Sequence, residues 1–111
     1  MKIGSALAVW GTVLALVAGS VSQAEAQMVR GMIERQTPYG IYPATSVAVT
    51  LFSRERGRSS PAYTDNRGFY YLQNIPPGNY VLEIWAGRTP LTRPVRILGR
   101  PYNDIPPIRV R

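Results

Sequence analysis

After residue 26 the hydrophobic positions recur with a period of two, and no window sustains a period of 3.6. Residues 28–34 alternate, with Val29, Gly31 and Ile33 on one side and Met32 on the other, which predicts a strand. Residues 46–52 give the cleanest strand: Val47, Val49 and Leu51 share one face, and Ser46, Ala48 and Thr50 share the other. In residues 80–85, Tyr80, Leu82 and Ile84 share the core face, while Glu83 marks the wetter side with Val81 and Trp85. Shorter strands are predicted at Ala62 to Thr64, at Phe69 to Leu72, around Val95 and Ile97, and at Ile108 to Val110.

Turn chemistry separates these runs. Pro38, Gly40 and Pro43 punctuate a predicted loop over residues 36–45, and further loops are predicted at 87–94 and 99–103. Residues 53–60 (SRERGRSS) are polar and carry Gly57, as an exposed hairpin connection would. In Asp65-Asn66-Arg67-Gly68 the acidic and amide side chains can accept backbone N–H bonds, and Gly68 tolerates positive φ. Pro77 and Gly78 fit the second and third positions of a type II turn. The two reversals are expected to deliver Phe69 and Tyr80 to one apolar layer, with Tyr71 also in the core. Many short strands divided by Gly/Pro turns predict an all-β antiparallel sandwich of about seven strands.

Ahead of this pattern, Lys2 is followed by an apolar run over residues 3–19 and a small, polar exit ending Ala24-Glu25-Ala26. This reads as a helical signal peptide over residues 1–26, cleaved after Ala26, with residues 27–111 forming one domain. The expected address is the periplasm or the exterior, with no membrane span after cleavage. No cysteine follows the apolar run, which excludes a lipid-anchored lipoprotein.

Composition narrows the chemistry. The 111 residues include no histidine and no cysteine, so Ser-His-Asp and Cys-His catalysis, disulfides and the common zinc sites are excluded. The five acids beyond the leader, Glu34, Glu55, Asp65, Glu83 and Asp104, share no motif that would pair two of them for glycoside cleavage. Asp65 and Asn66 supply too few oxygens for calcium. The chain therefore reads as non-catalytic, without cofactor or metal.

The segments Val29-Arg-Gly-Met-Ile33, Thr64-Asp-Asn-Arg-Gly-Phe69 and Leu72-Gln-Asn-Ile-Pro-Pro-Gly-Asn-Tyr80, with the strands around them, resemble the carboxypeptidase regulatory-like domain, a transthyretin-like Greek-key sandwich. The likeness runs along nearly all of residues 27–111. It departs from the family pattern after Trp85, where no aromatic follows Gly87, and before Pro43, where Tyr39 and Tyr42 stand in place of small or polar residues. The resemblance implies Asp65, Gly68, Phe69, Pro77, Gly78 and Tyr80 as the structural motif, and a structural or protein-interaction role beside other proteins.

Two surface features are candidates for binding. All twelve basic residues past the leader are arginine, against five acids. Arg54, Arg56 and Arg58 share one loop, and Arg96 and Arg109 would share a face if the last strand paired near Val95, making an anion-facing patch. Trp85, outward by alternation, with Tyr39, Tyr42 and Tyr102 in or near loops, would suit stacking on sugar rings. The expected partner is thus a protein or a glycan of the cell envelope, with the chain a monomer. Nucleic acid is not expected, because the chain is read as exported and shows no recognised module.

Overall fold

The computed structural model describes residues 27–111, so the leader expected over residues 1–26 lies outside the described residues. The described residues hold ten strands and no helix. They are β1 (Met28–Thr37), β2 (Gly40–Pro43), β3 (Ala48–Ser53), β4 (Gly57–Arg58), β5 (Ala62–Tyr63), β6 (Phe69–Leu72), β7 (Gly78–Trp85), β8 (Leu91–Ile97), β9 (Tyr102–Asp104) and β10 (Ile108–Val110).

Two sheets form. The first is built around β1, whose ten residues serve four short partners. On one side β6 pairs antiparallel with Val29 to Met32 and β2 with Glu34 to Thr37. On the other, β9 runs parallel to Met28 through Arg30 and β10 parallel to Ile33 through Arg35. The second sheet has the order β4-β3-β7-β8, with β5 also on β3, and is antiparallel throughout.

One apolar layer joins the sheets: Val29, Ile33, Tyr70, Leu72 and Val110 of the first pack in a single cluster with Val49, Leu51, Tyr80, Leu82, Ile84 and Ile97 of the second. The core faces read for β1, β3 and β7 hold here, but β3 begins at Ala48, with Ser46 at φ 56° ahead of it, and Thr50 and Glu83 on the outer face are buried as well. In β6 it is displaced by one. Tyr70 and Leu72 are buried, Phe69 is half-buried on the outer face, and Tyr71 is exposed there. A one-residue shift exchanges the faces of a whole strand, so Phe69 and Tyr71 are not core anchors and Tyr70 takes that place. Tyr80 does reach the core, and its hydroxyl donates to the Pro76 carbonyl oxygen at 2.7 Å.

The Asp65 turn folds as its side chains dictate. Asp65 Oδ1 accepts the backbone N–H groups of Arg67 and Phe69 at 2.9 Å each, and Gly68 adopts φ 86°. These bonds, the one from Phe69 foremost, lower the Asp65 pKa below its ordinary value. The turn then feeds the long strand: Gly68 O accepts Ile33 N–H at 2.8 Å, and Ile33 O accepts Ala44 N–H at 2.9 Å, bridging the handover from β6 to β2.

Elsewhere the loops are shorter than expected. Residues 40–43, 91–94 and 102–104 are strand, because edge pairing tolerates the prolines and glycine that suggested loops. Gly78 opens β7 at φ 155°, away from the type II value near +80°, and Asn74 at φ 57° is the left-handed residue of that connection. Asparagine is among the few side chains that accept this region.

Candidate functional site

Cross-strand register assembles a site on the outer face of the first sheet. Arg30 of β1 stands opposite Asp104 of β9 on one side and Tyr71 of β6 on the other, so Asp104, Arg30 and Tyr71 form one row across three strands. Met28 faces Tyr102 in the row to one side, and Met32 faces Phe69 in the row to the other. Arg30 Nε donates to Asp104 Oδ1, and the guanidinium lies 4.4 Å from the centroid of the Tyr102 ring. That bond raises the Arg30 pKa and lowers the Asp104 pKa, so the pair stays ionised at neutral pH. Arg30, Asp104, Tyr71, Met32 and Phe69, with Ile105 and Pro107, line a groove of about 410 Å³. Tyr71 is 47% and Tyr102 53% exposed, and the ion pair is itself open to solvent, so the rings and the charged pair can be reached together.

Of the aromatic residues expected to cooperate, only Tyr102 belongs to this site. Tyr39 and Tyr42 lie at the β1–β2 hairpin, at the opposite end of β1 from Met28 and its partner Tyr102. Tyr39 is 88% exposed, and its carbonyl oxygen accepts a 3.4 Å bond from the Tyr42 hydroxyl.

Trp85 lies on the outer face of the other sheet, half-buried and already engaged. Its Nε1 donates to Thr50 Oγ1 at 3.0 Å, and Thr50 Oγ1 donates to Glu83 Oε1 at 2.7 Å. Arg58 closes this network with Nε to Glu83 Oε1 at 2.7 Å and Nη2 to Oε2 at 3.0 Å, its guanidinium 5.7 Å from the Trp85 ring and 5.4 Å from Phe52. The Arg58 bond lowers the Glu83 pKa, which lets a carboxylate stay charged at 7% exposure.

The arginine patch divides for the same reason. Arg58 is drawn back onto Glu83, leaving Arg54 and Arg56 exposed beside the hairpin tip. Arg96 and Arg109 do not share a face. The last strand pairs with β1 and not with β8, which puts Arg109 on the first sheet, 3.5 Å from Glu34, and Arg96 on the second. Sequence reading also missed Arg30 and Tyr71 as site residues. The signal was present in the alternation of β1, which points Arg30 away from Val29, but Tyr71 could be placed only once the parity of β6 was known.

The fold and this face define an all-β, two-sheet sandwich with an aromatic and ion-paired outer groove. A scan against protein-family models found no match, and neither did a search of curated proteins. Among solved structures, the chain is similar to a "putative carbohydrate binding protein" from Pseudomonas aeruginosa (TM-score 0.58, 15% identity, 79% of this chain and 90% of that one). It is also similar to the Bacillus anthracis TIE protein (TM-score 0.55, 12% identity, 77% of this chain and 16% of that one). A DUF3823 family protein from Parabacteroides merdae matches with TM-score 0.52 and 13% identity over 75% of this chain and 45% of that one. At these identities the likeness shows the fold alone.

Proposed function

We propose that this chain is an exported, non-catalytic module of the carboxypeptidase regulatory-like, transthyretin-like kind that binds a glycan of the cell envelope on the outer face of its first sheet. One observation carries the reading: the Asp104–Arg30–Tyr71 row lines an open groove with an exposed ring and a charged pair, and a second exposed ring, Tyr102, packs on Arg30. Exposed rings stack on the apolar faces of sugars, and a paired guanidinium and carboxylate offer donors and acceptors in a fixed plane to ring hydroxyls. The printed name of the Pseudomonas neighbour supports the ligand class.

Binding without catalysis is supported by the engagement of the acids. Glu34, Glu83 and Asp104 each meet an arginine, and Asp65 is tied into its turn, so no two carboxylates are left to act as acid and base. A structural or protein-interaction module, the competing reading, rests on the exposed Arg54 and Arg56.

Calorimetric titration of the purified protein with envelope glycans tests the choice. Binding is expected, and Tyr71→Ala should weaken it about tenfold. Trp85 fluorescence should stay flat, because that ring belongs to the other sheet. Heat from a glycan that persists unchanged in Tyr71→Ala and Tyr102→Ala would remove the site, and silence with every glycan would leave the protein-interaction reading.

A further inference from the structure

Resting on that reading, we propose that the ligand is a linear acidic oligosaccharide that crosses Tyr71 from the outer groove into a second hollow at the edge of the sandwich. Tyr71 lines both spaces. The second, of about 480 Å³, is bounded by the β4–β5 connection on one side, with Ser59 and Ser60, and by Gln73 and Asn74 after β6 on the other. It can be reached because β6 pairs only with β1 and β5 only with β3, so both sheets end there.

The two hollows differ in chemistry. Ser60, Gln73 and Asn74 make no side-chain hydrogen bond as donors among the described residues, leaving a hydroxyl and two amide groups facing the second hollow as neutral donors and acceptors. The first is charged. Arg67 holds its guanidinium 5.6 Å from the Phe69 ring at the groove wall, and Arg100 is close enough for its charge to lower the Asp104 pKa. Neither has a carboxylate in ion-pair range among the described residues. Asp65 is close enough to Arg67 for the two charges to interact, so three arginines, Arg30, Arg67 and Arg100, stand against two carboxylates, Asp65 and Asp104, and the balance is positive, the complement of a sugar carboxylate.

Length follows from the strands. From β9 across β1 to β6 is two strand spacings, about 10 Å, the reach of roughly two sugar rings. A chain that passes over Tyr71 into the second hollow needs at least one ring more.

The test titrates the protein with galacturonic acid as monomer, dimer, trimer and longer chains, and with galactose oligomers of the same lengths. Affinity is expected to rise about tenfold or more from dimer to trimer, and to fall by a similar factor when the carboxylates are absent. Ser60→Ala with Gln73→Leu should erase the gain from the third ring while leaving dimer binding intact. Arg67→Gln with Arg100→Gln should erase the preference for the acid and the salt dependence that accompanies it.

Affinity that is flat with chain length, or equal for neutral and acidic oligomers, overturns this inference. If Tyr71→Ala still abolishes that binding, the glycan reading stands without it. If no oligomer of either series binds, this inference falls, and the glycan reading falls with it only when the envelope glycans are silent too.

Discussion

The ring of Tyr70 lies across Gly31, its partner directly opposite in the β1–β6 ladder, so closely that a Cβ on Gly31 would stand 2.4 Å from the tyrosine hydroxyl oxygen. The glycine leaves a gap in the core face of β1, and the aromatic from the neighbouring strand fills it, an arrangement that pins register. Gly31→Ala should therefore force the buried ring aside and cost on the order of 1–3 kcal/mol, read as a lower midpoint in denaturant. Tyr70→Ala should cost roughly 3–5 kcal/mol.

Burial raises the Tyr70 pKa, and its hydroxyl has no hydrogen-bond partner among the described residues. Removing an unpaired buried hydroxyl relieves a desolvation cost. Tyr70→Phe should therefore keep the fold, with Tm equal to or above that of the parent. A large loss of Tm in Tyr70→Phe would show that the hydroxyl is bonded.

Gly68 and Gly57 make a matched pair, since both have positive φ, 86° and 76°. A Cβ on Gly68 would meet the Ile33 carbonyl oxygen at 2.6 Å, whereas one on Gly57 meets nothing within 4 Å. Gly57→Ala should cost only the backbone strain of about 1–2 kcal/mol. Gly68→Ala adds a clash with backbone that already bonds to Gly68, and should cost clearly more. Equal shifts in thermal melts of the two variants would contradict this.

Stability should fall in acid, with Glu83 among the causes. Its pKa is lowered in the folded protein, first by the Arg58 hydrogen bond, so folding favours the charged form. A depressed folded pKa adds stability above the unfolded value, near 4, and that contribution disappears as pH falls through the folded value. Tm should hold steady at neutral pH and drop below about pH 4. Glu83→Gln should lower the neutral Tm and flatten part of the acid slope, while Asp65 and Asp104, whose pKa values are also lowered, retain theirs. Trp85 emission should follow the same transition, because its ring is bonded to Thr50 in that network.

The free edge of the second sheet is guarded by Arg93 and Pro94 of β8. Arg93 sits opposite the buried Leu82, in the row that faces the core, yet is itself exposed, and Pro94 has no N–H to offer a new strand. Replacing both with valine should increase concentration-dependent association in sedimentation velocity relative to the parent. A variant that associated no more than the parent at high concentration would show the edge is protected by something else.

Much of this structure was set by sequence alone. Strict alternation in residues 46–52 and 80–85 assigned the core faces of β3 and β7, and the Asp65 to Gly68 tetrapeptide encoded its own turn, because these depend on period and on bonds a few residues long. The tertiary structure decided the rest. Phe69-Tyr-Tyr-Leu72 is apolar or aromatic at every position, so its parity was fixed only when Gly31 left room for one ring, Tyr70. That choice sent Phe69 and Tyr71 outward to the groove. The capture of Arg58 by Glu83 and the parallel pairing of β9 and β10 with β1 join residues 25 to more than 70 positions apart, and contacts so distant in the chain leave no local pattern in it.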